Sequence, residues 1–221
     1  AGVKFNNIVD SVVSDNVVEN NLATGIWCDN SCINVNIVRN ISRNNTFMGI
    51  MYEISDGAII ASNLVTNNAS VGGMGVYVSE STNAKVYNNT IADNLVVNAR
   101  SIDVNSNSRK TTTGVEIVNN IMSHSTNSSL WMARIQDDLN RTSASSLVPV
   151  MDNNAYYRMS SSSPPIAVRW GEPTTPVDYA TLSAFRSGES MEMNGLAFDN
   201  QSVNPFFVDE AAGDYHLKTG S

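Results

Sequence analysis

The sequence is poor in charge and in cysteine, and it has no long apolar run. Charged residues make up 15% of its 221 positions, and 13 Lys and Arg against 21 Asp and Glu give a formal net charge of −8. Nucleic-acid binding needs basic patches, so this balance predicts no nucleic-acid partner. No apolar stretch approaches the roughly 18 residues that a membrane-spanning helix needs, so we expect no membrane span.

The few cysteines and histidines suggest no catalytic or metal-binding motif. Cys28 and Cys32 match no common zinc or thioredoxin spacing. A disulfide four residues apart is difficult on an extended strand, although Asp29-Asn30-Ser31 could supply a turn, so the spacing favours two thiols used as small apolar residues. His124 and His216 have no Cys, Asp or Ser partner in the repeat register, and we expect them to have surface or packing roles.

What the chain does contain is an internal repeat. The phrases GIWCDNSC, GIMYEIS and GVYVSES begin at Gly25, Gly49 and Gly75, and Ser101 begins a fourth, at intervals of 24, 26 and 26 residues. An asparagine marker recurs in step at Asn16, Asn40, Asn63, Asn89 and Asn120. The last asparagine interval is longer because residues 106–114, SNSRKTTTG, resemble an inserted loop. Two independent markers with one period indicate a repeat architecture.

Each repeat unit has the pattern of three short strands joined by turn-forming residues. In the unit that starts at Gly25, the strands are Gly25–Asp29, Ile33–Val38 and a short segment around Asn40–Ser42. Such a unit cannot bury its own apolar face, but stacked units bury it inside a coil with parallel strands on its sides. We expect the recurring asparagines to hydrogen-bond to the copies above and below and to adopt the left-handed conformation at one corner.

A family resemblance supports this reading. The segments GIWCDNSCINVNIVRNISRNN, GIMYEISDGAIIASNLVTNN and GVYVSESTNAKVYNNTIADN resemble the repeats of right-handed parallel β-helix proteins, the pectin-lyase-like superfamily. The resemblance covers residues 1–125 and extends weakly to 204–209 (NPFFVD) and 212–217 (AGDYHL), which are similar to the tails of secreted bacterial members. It implies an all-β fold: a single-stranded right-handed parallel β-helix (solenoid) with irregular C-terminal loops and one short helix.

The resemblance does not imply a single reaction. The superfamily includes polysaccharide lyases, glycoside hydrolases, epimerases, phage tailspikes and non-catalytic modules. The N-T-D, G-H-G and R-I-K motifs of its polygalacturonase-type hydrolases are absent from the sequence. The fold is therefore predicted more specifically than the activity.

The domain organisation follows from the extent of the repeats. We expect residues 1–221 to form one β-helix domain, as part of a longer chain. Regular coils are predicted over 1–125, and later coils with loops and a tail over 126–221. In the second part, residues 179–185 predict the start of a short helix with Asp178 as its cap.

Alternation along the first strand of each unit separates an inward from an outward set of side chains. The mostly apolar inward set is predicted to face the core: Ile26, Cys28, Ile50, Tyr52, Val76, Val78, Ile102 and Val104. The outward columns are Trp27, Met51, Tyr77 and Asp103, and beside them Asp29, Glu53, Ser79 and Asn105. Since adjacent coils stack about 4.8 Å apart, both columns should lie on one exposed sheet face.

Asp29 and Glu53 are the candidate catalytic residues, because stacking places their carboxylates side by side. Two carboxylates at that distance repel, which raises one pKa and lets the pair divide acid and base roles in glycosidic chemistry. Trp27 and Tyr77 offer flat faces suited to stacking on a sugar ring. The candidate substrate-binding residues are Trp27, Tyr77, Asp103 and Arg100.

These features predict a secreted or cell-surface protein that binds or cleaves a polysaccharide or oligosaccharide, as a lyase or a glycoside hydrolase. No metal or cofactor is required by the spacing, although calcium could bridge Asp29 and Glu53 through carboxylate oxygens. The alternative is a non-catalytic carbohydrate-binding or structural module of a larger surface protein or tailspike. The sequence does not predict the oligomeric state.

Overall fold

The computed structural model describes residues 1–68, 73–94, 100–125, 131–159, 168–171 and 175–220, and it confirms the all-β parallel β-helix. The strands are β1 (Val3–Asn6), β2 (Val12–Ser14), β3 (Val17–Glu19), β4 (Ile26–Asp29), β5 (Ile33–Val38), β6 (Ile41–Arg43), β7 (Ile50–Glu53), β8 (Asp56–Ala61), β9 (Leu64–Thr66), β10 (Met74–Ser79), β11 (Lys85–Tyr87), β12 (Thr90–Ala92), β13 (Arg100–Ser106), β14 (Glu116–Val118), β15 (Ile121–His124), β16 (Ala133–Asp137), β17 (Val150–Asp152), β18 (Ala155–Met159), β19 (Val168–Trp170), β20 (Val177–Tyr179), β21 (Leu196–Gln201), β22 (Phe207–Asp209) and β23 (Asp214–Leu217). The helices are α1 (Ala144–Leu147), α2 (Leu182–Glu189) and a 3₁₀ turn, Glu210–Ala212.

Successive coils add their strands to three sheets. Within the described ranges, the first sheet has the order β1-β4-β7-β10-β13-β16-β19-β20 and is parallel up to β19, while β19 and β20 pair antiparallel. The second sheet is β17-β14-β11-β8-β5-β2, and the third is β21-β18-β15-β12-β9-β6-β3. Residues about two dozen positions apart therefore lie side by side, as the repeat predicted.

The inward side chains of the first sheet line the core. The eight residues predicted there are all completely buried: Ile26, Cys28, Ile50, Tyr52, Val76, Val78, Ile102 and Val104. Inside the coil they meet residues of the other two sheets, such as Ile60 and Ile91. Burial of each aliphatic side chain of this size contributes about 1.5–3 kcal/mol, so contacts between coils stabilise the fold.

Asparagine side chains form a ladder along one corner of the coil. Its members are Asn16, Asn40, Asn63, Asn89, Asn120 and Asn154. Asn63 is typical: its Nδ2 donates to the Ile37 carbonyl and to Asn89 Oδ1 at 2.9 Å each, and its Oδ1 accepts from the Asn40 backbone N–H at 2.9 Å. A second ladder runs along the next corner through Asn21, Asn45, Asn68 and Asn94. The structural role expected for the marker asparagines is thus observed.

The left-handed backbone conformation lies one residue before each member of the first ladder. Positive φ is found at Asp15, Arg39, Ser62, Asn88, Asn119 and Asn153. The prediction that the ladder asparagines themselves adopt it was therefore wrong. The preceding residue makes the turn, and the asparagine side chain then points along the stack to its partner. Even Arg39 and Ser62, which rarely adopt positive φ, do so here because the ladder fixes the corner.

Cys28 and Cys32 form a disulfide, so the prediction of two thiols was wrong. Their Cα atoms are 6.1 Å apart, a separation that a disulfide spans. The chain turns between them because Asn30 and Ser31 both have positive φ, 52° and 65°. Both cysteines are completely buried, so the disulfide cross-links the two sides of this turn inside the coil.

The C-terminal part covers the last coils. Helix α2 places Phe185 edge-on against Trp170, with ring centroids 5.2 Å apart. Its N-cap is Thr181, whose hydroxyl accepts from the Ala184 N–H, so the prediction of Asp178 as the cap was wrong; that residue lies in β20. No helix in the described part of the chain is long and apolar enough to cross a membrane.

Candidate functional site

The outward face of the first sheet carries the candidate site residues. Asp29 in β4 is in register with Glu53 in β7, and Tyr77 in β10 is in register with Asp103 in β13. Trp27 lies in the same column as Tyr77, two strands away. The parallel register therefore brings these residues onto neighbouring strands, as the sequence predicted.

This face is less exposed than the sequence suggested. Asp103 is completely buried and Asn105 is only 4% exposed, while Trp27 and Tyr77 are partly exposed. Part of the cover comes from the connection between β13 and β14, whose Arg109 reaches back over the strands. The expectation of an open sheet surface was wrong because alternation predicts the direction of a side chain but not what lies over it.

Asp29 forms an ion pair with a lysine from the preceding coil. Lys4 Nζ lies 2.8 Å from Asp29 Oδ2 and 3.4 Å from the centroid of the Trp27 ring. The other oxygen, Asp29 Oδ1, is buried and has no hydrogen-bond partner among the described residues, and the indole of Trp27 lies near the carboxyl group of Glu53. A buried polar atom left unsatisfied costs about 1–3 kcal/mol, so a ligand hydroxyl that reached Asp29 Oδ1 would be stabilising.

Glu53 lies in surroundings that favour its protonated form. Its side chain is 12% exposed, and its Oε1 accepts from Arg109 Nη2 at 3.0 Å. Burial raises the pKa of Glu53 and the negative charge of Asp29 raises it further, while the positive charge of Arg109 offsets part of the rise. The indole of Trp27 lies close enough to lower this pKa slightly. The pair thus combines a carboxyl of raised pKa with a neighbouring carboxylate in an ion pair.

The far end of the face holds a compact charged cluster. Asp103 lies 2.5 Å from Arg100 Nη1 and 3.2 Å from Arg134 Nη1. Arg100 and Arg169 both lie against the ring of Trp131, at 5.4 and 3.9 Å from its centroid. Complete burial raises the pKa of Asp103, and the two guanidinium groups work against that rise. Arg100 and Arg134 are thus held in ion pairs with Asp103.

Sequence reasoning missed four contributors to this face: Lys4, Arg109, Arg134 and Trp131. A signal for Lys4 was present, because Gly2-Val3-Lys4 matches Gly25-Ile26-Trp27, and Lys4 is indeed in register with Trp27. Arg109 has no such signal, since it lies in a connection outside the repeat.

The two histidines have partners, contrary to the expectation from the repeat register. His124 Nε2 lies 3.0 Å from Ser101 Oγ, and His216 Nδ1 lies 2.6 Å from Asp214 Oδ1. Burial lowers the pKa of His124 to about 3, so it is neutral and has a packing role at physiological pH. Over the described ranges, no group of three or more His, Cys, Asp or Glu side chains is arranged to hold a metal ion.

Comparison with known proteins identifies the family. No curated protein matches the chain. In fold it is similar to the A-module of the mannuronan C-5 epimerase AlgE6 from Azotobacter vinelandii, with a TM-score of 0.51 and 14% identity over 90% of this chain and 53% of that one. The chain thus spans about half the length of that module, and a likeness at this identity shows the fold alone. Residues 1–145 match the family model described as periplasmic copper-binding protein (NosD). The chain belongs to this NosD family of right-handed parallel β-helix proteins.

Proposed function

We propose that the protein binds a polysaccharide along the outward face of its first sheet, in the periplasm or outside the cell. The observation that carries the proposal is the in-register pair Asp29 and Glu53, with Asp29 Oδ1 unpaired and the Trp27 ring beside it. Carboxylates and indole N–H groups suit sugar hydroxyls, and aromatic rings supply stacking surface. The family description and the buried disulfide, a bond that persists in oxidising compartments, support the location.

The dimensions of the face suit a linear ligand. From β4 to β13 there are three strand spacings, which amount to about 14 Å. A bound chain lying along the stack would contact Trp27 at one end and the Asp103 cluster at the other. Tyr77 lies between them, and its hydroxyl is 3.2 Å from Asn105 Oδ1.

Replacement of the two carboxyl groups by neutral amides tests the binding proposal. Asp29→Asn and Glu53→Gln keep the side-chain shape but replace each carboxyl group by an amide, and hydrogen bonds to charged groups such as the Asp29 carboxylate contribute about 1.5–3 kcal/mol. After a glycan array has identified a ligand, each variant should weaken its binding by about tenfold or more in calorimetry. Glu19→Gln removes an acid paired with Arg43 on the third sheet and is the matched control. Unchanged affinity in both site variants would refute the proposal.

Cleavage of the bound chain is the second candidate, and the raised pKa of Glu53 favours it. Retaining glycosidases hold two carboxyl groups about 5–5.5 Å apart, which adjacent strands can provide. In such a reaction Glu53 donates its proton to the leaving oxygen while Asp29 attacks the anomeric carbon. Water then releases the sugar from Asp29, with Glu53 accepting the proton.

The products distinguish the remaining alternatives. New reducing ends without unsaturated sugars would establish hydrolysis, whereas unsaturated products would establish a lyase. A lyase has less support, because Arg100, the candidate base, is 2.5 Å from the buried Asp103. Binding without any product would establish the non-catalytic module, and a stable trimer in light scattering would favour a tailspike-like structural role.

The His, Cys, Asp and Glu side chains of the described residues do not fit copper, the metal in the family's description. Protein copper sites use mainly Cys, Met and His. Cys28 and Cys32 are bonded to each other, and in the described ranges neither His124 nor His216 belongs to a group of three or more His, Cys, Asp and Glu side chains that could hold a metal ion. We expect less than one equivalent of copper to remain after loading and dialysis, measured by elemental analysis. Calcium at Asp29 and Glu53 remains a prediction.

A further inference from the structure

The C-terminal segment, residues 204–218, lies across the outward face of the third sheet. It contains the antiparallel pair β22 and β23 and the 3₁₀ turn between them. Phe206 and Phe207 are 5% and 2% exposed and pack in a small cluster with Tyr157 of β18. The segment is thus a strap with its own apolar contacts, separate from the main core.

A pair of carboxyl groups lies where the strap crosses the corner after β12. Asp93, on the coil, is 5% exposed, and Glu210, on the strap, faces it. Ser125 bridges the two, because its backbone N–H donates to Asp93 Oδ1 at 2.9 Å and its hydroxyl donates to Glu210 Oε2. Asn204 Nδ2 donates to Glu210 Oε1 at 2.9 Å.

Among the described residues, no cation forms an ion pair with either carboxyl group, although Lys218 lines the same cleft as Glu210. Tyr215 of β23 and Tyr157 of β18 face the pair; burial raises the pKa of each phenol, and the charges of the two carboxyl groups add to the rise. In the described part of the chain, no Lys, Arg or His forms an ion pair with Asp93 or Glu210; Lys218, the nearest strap lysine in sequence, donates to the Asn204 carbonyl at 2.6 Å.

Two cavities lie under the strap on either side of Tyr215. One, of about 450 Å³, is lined by Asp93, Glu210 and Asn67. The other, of about 690 Å³, has Ile41 and Leu64 of the third sheet as its floor. Displacement of the strap would join these cavities and uncover the apolar floor.

We propose that the Asp93–Glu210 pair is a pH-sensitive latch that holds the C-terminal strap against the third sheet. With one proton shared between the two carboxyl groups, the strap is docked. With both ionised, two negative charges confront each other at a buried corner, with no ion pair to a cation among the described residues, and the strap is released. The proton that leaves goes to solvent.

The direction of the pH effect follows from the pKa of Asp93. Burial raises it to about 8, and the hydrogen bond to Glu210 and the charge of Glu210 add to the rise. In the undocked segment Asp93 returns toward its ordinary value near 4. A group whose pKa is higher in the docked form stabilises docking. The stabilisation is complete at pH values below the pKa of the undocked form, and it is lost as the pH rises to the pKa of the docked form. Docking should therefore weaken between about pH 4 and pH 8, by up to tenfold per pH unit.

Hydrogen exchange of the strap amides tests the latch in the whole chain. The Lys218 N–H, which donates to the Phe206 carbonyl at 2.8 Å, and the amides of β22 and β23 bond within the strap. They report docking because a two-stranded hairpin that has left its sheet is only marginally stable in water. After correction for intrinsic exchange rates, their protection should fall severalfold for each unit from pH 5 to pH 8. Protection in the second sheet should not change over this range.

Two variants assign the effect to the pair. Asp93→Asn removes the carboxyl group of raised pKa and should flatten the pH dependence, with the strap still docked at pH 8. Glu210→Gln removes only the neighbouring charge and hydrogen bond, and should make the pH dependence shallower without abolishing it. Glu19→Gln should retain the wild-type profile. A wild-type profile that is flat from pH 5 to pH 8 would overturn the proposal, whether or not the variants fold. Retention of the full slope in both folded variants would overturn it equally.

Discussion

Lys4 Nζ lies 3.4 Å from the centroid of the Trp27 ring, so a lysine of the first coil covers one face of the aromatic residue in the next coil. The same nitrogen is 2.8 Å from Asp29. A sugar that stacks on Trp27 must therefore use its other face or displace the lysine. The contact links the first coil to the candidate site.

Replacement of this lysine should destabilise the first coil modestly. Lys4→Met removes a cation–π contact and a partly buried ion pair, and we expect the free energy of unfolding to fall by about 1 kcal/mol in urea denaturation. Lys85→Met removes a more exposed pairing with Glu116 at 3.8 Å and should change it by less than about 0.5 kcal/mol. Equal effects of the two substitutions would contradict a specific role for Lys4.

Loss of Arg109 should raise the pKa of Glu53. Arg109→Gln removes the positive charge that offsets burial and the charge of Asp29, so the carboxyl should titrate at higher pH in an NMR titration. If Glu53 acts as a general acid, the high-pH limb of the activity profile should move upward with it, because the protonated form persists to higher pH. Arg43→Gln, in an exposed pair with Glu19, should leave Glu53 unchanged. A lower Glu53 pKa in the Arg109 variant would show that another charge dominates.

Alanine substitution should destabilise the protein more in the middle of the first asparagine ladder than at its end. Asn63→Ala removes the side-chain partners of the Ile37 carbonyl, the Asn40 N–H and Asn40 Nδ2, and we expect a loss of about 3 kcal/mol or more. Asn16→Ala, at the exposed first position, should cost about 1 kcal/mol. Thermal and urea unfolding measure both, and a smaller loss for Asn63 than for Asn16 would contradict the ladder account.

A methyl group at the start of a repeat phrase should not fit. A Cβ at Gly49 would lie 2.3 Å from Val65 Cγ1 and 2.9 Å from the Gly75 carbonyl oxygen. Gly49→Ala should therefore destabilise the fold by about 1–3 kcal/mol through overpacking. Ser101 occupies the position of Gly49 in a later repeat, and it already has a Cβ. Ser101→Ala should therefore lose only the hydrogen bond to His124, about 1 kcal/mol. Wild-type stability for Gly49→Ala would show that the neighbouring coil yields.

The disulfide can be tested by thiol counting and by substitution. Unfolded protein should show no reactive thiol without reductant and two after reduction, since Cys28 and Cys32 are the chain's two cysteines. Because the closed loop is short, replacement of both by alanine should lower the free energy of unfolding by about 2 kcal/mol. Two reactive thiols in the unreduced protein would contradict the bond.

The stacking register could be read from the sequence because it depends on features that recur in every coil. Ile26 lies beside Ile50, and Asp29 beside Glu53, since the apolar alternation and the asparagine marker share one period. Neither feature predicts backbone angles at a corner. The disulfide was missed for that reason, because it depends on the positive φ of Asn30.

The environment of the candidate site could not be read from the same pattern. Glu53 and Asp103 were correctly placed on strands, but their burial and ion pairs come from Arg109 and Arg134. Arg109 belongs to a connection that occurs in one coil only, so repeat alignment contains no information about it. Repeat alignment predicts a side-chain contact between two coils only where the coils have the same length.

The first asparagine ladder tolerates coils of very different length. Its neighbouring members are separated by 24, 23, 26, 31 and 34 residues, yet their side-chain hydrogen bonds stay between 2.9 and 3.1 Å. Segments can therefore be lengthened between these fixed points without disturbing the stack. Evolution or a protein engineer can therefore change the surface of one coil at a time while the fold stays the same.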